Sequence, residues 1–220
     1  MSSMRMLRSA LLLCALPLAG AAQAEDGLRL AARAGTLGLG LEGTWQALPW
    51  LDVRAGVNVF DYDDEGSRAG INYDATLELR SAYATANFRL PERPFRLSAG
   101  LFANGNELAL TSRERGTVRL GGTLFLAEDI GTLRSTTSFD DVAPYLGVGL
   151  DLGLPGRWGM SVDLGVLFQG SARVNLRADG PLAGNPVFEN ALAAERDELA
   201  DDLEDLETYP VVAVGLSYRF

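Results

Sequence analysis

Apolar and polar residues alternate with period two through most of this chain, in short runs separated by turn residues. Strand side chains point to opposite faces in turn, so each run sorts into an apolar face and a small or polar one. The clearest run ends the chain. Val212, Val214, Leu216, Tyr218 and Phe220 share one face; Val211, Ala213, Gly215, Ser217 and Arg219 share the other. Leu28, Leu30, Ala32 and Ala34 alternate with Arg29, Ala31 and Arg33, and Leu37, Leu39, Leu41 and Trp45 with Gly38, Gly40, Glu42 and Thr44. Gly35-Thr36 reads as a tight turn between these two runs, with one long strand as the alternative. Leu51, Val53, Ala55, Val57 and Val59 then oppose Asp52, Arg54, Gly56 and Asn58. The next run ends on Ala82, Ala84, Ala86 and Phe88 but begins with Leu77 and Leu79 on the opposite parity, which a bulge or a strand rising past a membrane would produce. Phe95 to Ala103 alternates with Arg96, Ser98, Gly100 and Phe102 inside. Val142 to Leu152 has Tyr145, Gly147, Gly149 and Asp151 inside; Trp158 to Phe168 has Gly159, Ser161, Asp163 and Gly165 inside.

The connections also alternate. Short turns fall at 46–50, 91–94 and 153–157, and long polar segments at 61–72, 104–138 and 170–209. That is the pattern of periplasmic turns and extracellular loops in a transmembrane barrel, where strands come in even numbers. The fold class is all-β: an eight-stranded antiparallel transmembrane β-barrel. Within the second long segment, 118–120 and 123–126 read as a small hairpin on Gly121-Gly122. Within the third, Pro186 suits a first helical turn, and Phe188, Leu192, Leu199, Leu203 and Leu206 follow helical spacing through Glu207 among many acids. An acidic amphipathic helix over 186–207 is therefore expected in the last extracellular loop. It serves either as a lid or as a helix packed on the barrel rim and solvated elsewhere. Trp45, Trp50, Trp158, Phe88, Phe95 and Phe220 gather at the short-turn level as one aromatic girdle; Phe60, Tyr62, Tyr73, Phe139 and Tyr209 are candidates for the second.

The N-terminus supplies the route. Arg5 and Arg8 precede an apolar stretch from Ala10 to Gly20, and Ala22-Gln23-Ala24 is a small-x-small cleavage site. Residues 1–24 read as a cleaved signal peptide and 25–220 as the barrel, placed in the bacterial outer membrane. Cys14 is the only cysteine and leaves with the leader; bulky Leu13 before it argues against a lipoprotein. The formal charge is −10 and there is no histidine and no lysine. Removing the leader takes away two arginines and leaves 17 bases against 29 acids, a balance of −12. So acidic an exported chain is a poor match for nucleic acid. The acids suit solvated external loops, cationic solutes, or divalent ions near lipopolysaccharide.

Candidate chemistry is sparse. Without histidine, histidine-based acyl transfer and hydrolysis are excluded, and no carboxylate pair is marked by its spacing, so no catalytic residue and no cofactor is expected. Asp61-Tyr-Asp63-Asp64-Glu65-Gly66 clusters carboxylates but lacks a calcium-loop pattern; it reads first as a solvated loop, and no metal site is assigned. The inner face carries the interest. Parity lines the lumen with Arg29, Arg33, Arg54, Arg96 and Arg219 and with Glu42, Asp52, Asp151 and Asp163. Buried charges of both signs must pair or meet water. An eight-stranded barrel is only about wide enough for side chains or one small ligand. Two readings stay open: a salt-bridged plug, and a narrow polar path for small solutes.

The closing Tyr218-Arg219-Phe220 resembles the C-terminal assembly signal of outer-membrane barrels, with Tyr218 and Phe220 as its aromatic residues. Asp141-Val-Ala-Pro-Tyr-Leu-Gly-Val-Gly149, Trp158-Gly159, Asp163-Leu-Gly165, Gln169-Gly170 and Phe95-Arg-Leu-Ser-Ala-Gly100 resemble the CarO-type outer-membrane proteins, called ornithine-uptake porins. The resemblance covers most of the mature chain. It implies an eight-stranded barrel and passive influx of small, cationic solutes such as basic amino acids; the alternative is a closed structural or adhesive barrel. The implied partners are outer-membrane lipid and lipopolysaccharide, the barrel-assembly machinery and small solutes.

Overall fold

The computed structural model describes residues 27–68, 71–113 and 116–220. The proposed signal peptide lies outside the described residues. The period-two runs become strands β1 (Leu28–Gly35), β2 (Gly38–Leu48), β3 (Leu51–Arg68), β4 (Ile71–Arg89), β5 (Phe95–Asn104), β6 (Glu107–Arg113), β7 (Thr117–Leu120) and β8 (Thr123–Leu126). A one-turn helix α1 (Ala127–Ile130) precedes β9 (Thr132–Ser138), β10 (Val142–Gly153), β11 (Trp158–Phe168) and β12 (Arg173–Ala178). Helix α2 (Pro186–Asp202) and a 3-10 turn (Glu204–Glu207) lead into the closing strand β13 (Thr208–Arg219).

Eight strands close into an antiparallel barrel in the order β1, β2, β3, β4, β5, β10, β11, β13 and back to β1. Each is paired on both sides, so the barrel wall has no open edge, the condition for strands in lipid. No helix among the described residues is long and apolar enough to cross a membrane. The outward face explains itself only in a bilayer. Leu39 and Leu41 on β2 are 66% and 67% exposed, and Val57, Leu97, Leu101, Leu146, Leu164, Val212 and Val214 continue the band. At the short-turn end Trp50 stacks on Phe88 with ring centroids 6.1 Å apart, and Tyr218 meets both Trp158 and Phe220 edge-on at 5.2 Å. This is the expected girdle.

Above the barrel the chain builds a second layer. The register between β3 and β4 runs unbroken from Leu51↔Phe88 to Arg68↔Ile71. The expected polar loop at 61–72 is therefore mostly strand, and Leu77 and Leu79 simply continue the inward parity of Ser81 and Tyr83, with no bulge. The lower half of β4 pairs with β5 and its upper half with β6. β9 and then β12 extend that upper sheet. One face of it is polar; the other carries Leu133, Leu176 and Ala178 into a separate apolar core with Val118, Leu120, Ile130, Phe188 and Leu192. Phe125 meets Phe188 edge-on at 5.2 Å. The β7–β8 hairpin turns on Gly121 and Gly122, whose φ of +52° and +78° fit a type I′ turn that only glycine adopts cheaply. The Gly121 N–H donates to Glu195 of α2 at 2.8 Å.

Helix α2 starts where the sequence places it. Pro186 opens it, and the Asn185 side chain accepts from the N–H groups of Val187 (2.9 Å) and Phe188 (3.4 Å). It differs from expectation in its second half. The α-helix stops at Asp202, Leu199 and Leu203 are half-buried, and Leu206 is exposed. Only Phe188, Ala191 and Leu192 are buried, against the extracellular core, so the helix caps the upper sheet and packs on β12 and β7. The upper girdle also differs. Phe60 and Tyr62 share the face of inward Asn58 and stack on each other at 6.4 Å, while Phe139 and Tyr209 are half-buried. The side chain of Tyr73 lies outside the described residues.

Candidate functional site: the barrel lumen

Inward positions of the barrel strands meet across a narrow lumen, and their charges form a closed circuit. Arg33 on β1 bonds Glu42 on β2 and, at 2.8 Å, Asp163 on β11. Arg54 on β3 bonds Glu42 at 3.3 Å and Asp151 on β10 at 3.2 Å. Arg96 on β5 bonds Asp151 and Asp163. Three guanidinium groups thus alternate with three carboxylates in a neutral six-membered ring. Its members come from six of the eight barrel strands. Each arginine uses its two Nη atoms on two different acids, so every guanidinium bridges two carboxylates through charge-assisted hydrogen bonds. Arg96 is 1% exposed and Asp163 3%. A fourth carboxylate, Asp52, stands apart: Arg29 donates to it at 3.0 Å and Arg89 also pairs with it.

Small inward residues make the ring possible. A Cβ on Gly149 would stand 2.7 Å from Arg96 Nη2, and one on Gly56 2.7 Å from Tyr83 Cζ. Tyr83 donates to Glu42 at 2.8 Å, joining β4 to the ring. Below, Asn87 accepts from Ser98 at 2.6 Å.

Toward the extracellular end the lumen turns apolar. Leu37, Tyr83, Phe102, Ala143, Tyr145, Leu167 and Val211 pack together, with Tyr83 and Phe102 stacked at 4.7 Å. Leu37 was expected outside with Leu39 and Leu41. It is 5% exposed and belongs to this plug, because the tight turn between β1 and β2 redirects it over the barrel mouth. The void beside the ring, bordered by the plug above and by Asn87 and Ser98 below, is about 30 Å³, the space of about one water. Toward the short-turn end a wider cavity of about 180 Å³ opens below the ring, lined by Arg29, Arg89, Asp151, Arg157 and Arg219 among others.

The lumen-lining expectation thus divides. Arg33, Glu42, Arg54, Arg96, Asp151 and Asp163 come together as one circuit, with Arg29 and Asp52 just outside it. Arg219 stands at the short-turn mouth of the lumen, exposed where β13 ends, and lines the lower cavity there. Sequence reasoning missed Arg89, Arg157 and Tyr83. The parity of β4 points Tyr83 and Arg89 inward opposite Phe88 and Ala84. Arg157 sits in a turn, where no periodicity speaks. Asp61 and Asp63 stand on strand β3, engaged by Arg80 at 3.5 Å and Thr76 at 2.8 Å.

No protein-family model and no curated protein sequence matches the chain. Solved structures do. The crystal structure of Acinetobacter baumannii CarO is similar over 89% of this chain and 98% of its own, with 25% identity and a TM-score of 0.58. Acinetobacter baumannii CarO2 is similar over 89% of this chain and 99% of its own, with 22% identity and a TM-score of 0.60. The fold is that of a CarO-type outer-membrane barrel. The likeness spans nearly the whole of both relatives, so the extracellular layer as well as the barrel falls within the compared length.

Proposed function

We propose that this chain is a closed, non-enzymatic outer-membrane barrel that anchors and orients its extracellular sheet-and-helix layer, without forming an open pore. The observation that supports this is the salt-bridge ring. It joins six strands across the lumen and engages each of its three carboxylates with two guanidinium groups. The apolar plug above it is a second barrier in series. Passive uptake of small cationic solutes such as basic amino acids, which the CarO-type resemblance implies, would need both layers to open. The same reading takes Tyr218 and Phe220 as the assembly signal and the apolar band as contact with lipid and lipopolysaccharide.

The test is conductance and solute flux of the refolded mature chain in bilayers and liposomes, with ornithine, arginine, glutamate and a neutral sugar. The expected result is no conductance above bare bilayer and no flux above empty liposomes. Stepwise conductance, or ornithine flux that falls in D151N and D163N, would overturn the closed reading in favour of a cation-selective porin.

A further inference from the structure

The short-turn end of the lumen has a charge imbalance that the ring does not absorb. Asp151 belongs to the neutral circuit of three arginines and three acids. Outside that circuit, Arg29 and Arg89 share the single carboxylate of Asp52. Arg157 and Arg219 line the same cavity and have no ion-pair partner among the described residues. Among the described side chains outside the ring, four guanidinium groups stand against one carboxylate around about 180 Å³ of space. Two of the four are held away from bulk water: the side chains of Arg29 and Arg89 are 17% and 27% exposed. Arg89 Nη2 is buried without a hydrogen-bond partner among the described residues. Desolvated, uncompensated charge is costly unless an opposite charge meets it. The cavity also has an apolar border, since Leu152, Trp158 and Met160 of the lipid-facing side line it.

We propose that this periplasmic vestibule is a phosphate-binding site, taking either free phosphate or the headgroup of an inner-leaflet phospholipid. The planar, multi-donor guanidinium group suits a tetrahedral oxyanion, which it can meet with two N–H donors at once. The volume is that of about six liquid waters, enough for a phosphoryl group and part of its hydration. The sign is opposite to that of the whole chain, whose formal charge is −10. The site therefore reflects local placement and not overall composition. It stands independently of whether the lumen conducts.

The experiment uses the full mature chain refolded in a phosphate-free maltoside detergent. Inorganic phosphate is titrated calorimetrically at low salt into wild type, R157Q/R219Q, and the control R134Q/R177Q on the extracellular sheet. Both vestibule arginines in the variant are exposed and outside the ring, so folding is retained and is checked by heat-modifiable migration. Wild type and control should bind alike, and R157Q/R219Q about a hundredfold more weakly, about tenfold for each charge-assisted hydrogen bond lost with the two guanidinium groups. Native mass spectrometry with added phosphatidylglycerol, against diacylglycerol with the same tails, separates the sources. Retention of phosphatidylglycerol alone, competed by phosphate, assigns the lipid headgroup; phosphate binding without lipid retention assigns the free anion. No binding of either, or equal binding in R157Q/R219Q, overturns the proposal. Glu25 and Asp26 precede the described chain and are the rival counter-charge. Phosphate binding seen only in E25Q/D26N would mean the chain's own acids fill the site, and would also overturn it.

Discussion

Neutralising Asp163 tests whether the ring holds the barrel together. The Asp163 side chain is 5% exposed and is shared by Arg33 at 2.8 Å and by Arg96. In D163N the circuit opens, Arg33 keeps only Glu42, Arg96 keeps only Asp151, and one buried positive charge loses its compensation. Removing one partner of a buried pair costs about 3–5 kcal/mol. The matching change at the exposed Arg80–Asp61 pair, D61N, should cost only about 0–1 kcal/mol. Equilibrium unfolding in lipid vesicles, followed by the fluorescence of Trp45, Trp50 and Trp158, reads both. A double variant sharpens the reasoning. R96M/D163L removes one charge of each sign and leaves Arg33–Glu42–Arg54–Asp151 as a neutral chain, so it should lie closer to wild type than D163N does. A D163N stability within about 1 kcal/mol of wild type, or a double variant less stable than the single one, would show that the ring does not hold the barrel together.

Two further outcomes concern the extracellular layer. N185A removes the acceptor for the N–H groups of Val187 and Phe188 and should cost α2 about 1 kcal/mol, seen as faster amide exchange at those residues with the barrel unfolding midpoint unchanged. The Asp179 carboxyl is held below its ordinary range, chiefly by the Thr132 N–H at 2.6 Å and then by Arg134 at 3.0 Å. Its stabilisation is thus fully present above the ordinary carboxylate pKa and is lost as pH falls through the lowered one. The protection factor of the Thr132 amide, taken relative to its intrinsic exchange rate at each pH, should fall as the Asp179 carboxylate is protonated, and D179N should remove that fall.

The barrel was legible because lipid imposes a strict period. Every outward position must be apolar and every backbone group paired, so Val212, Val214 and Leu216 announce a strand without help from neighbours. The same parity sets Arg33, Glu42, Arg54, Arg96, Asp151 and Asp163 on the inner face, where the structure joins them, while Arg219 ends its strand exposed at the mouth. It could not show which arginine meets which acid. Arg33 and Asp163 stand 130 residues apart, and their contact depends on barrel closure. The extracellular sheet was harder still. β6, β9 and β12 carry Thr, Ser, Asn and Arg on one face, which reads as loop, and their apolar face is divided among segments far apart in sequence. Leu37 misled for the opposite reason: a turn residue has no parity to obey.

The position of the ring bears directly on whether such a barrel can conduct. A cation the size of ornithine cannot pass three arginines and three acids without displacing at least one guanidinium from both of its carboxylates. Displacing one guanidinium from both of its carboxylates leaves buried charge uncompensated, as D163N does, at a cost of about 3–5 kcal/mol. Each 1.4 kcal/mol is a factor of ten, so the open ring would be populated in roughly one molecule in a hundred to one in several thousand. The apolar plug lowers that further. Spontaneous opening at such populations is compatible with leakage and not with an uptake route, unless a ligand binds the open state better than the closed one. The vestibule is the available lever. An anion held by Arg29 and Arg89 would compete with Asp52 for both, yet would leave the neutral ring above it intact. Phosphate should therefore occupy the periplasmic mouth without raising conductance, and a phosphate-dependent rise in flux would show that the ring and the vestibule are coupled.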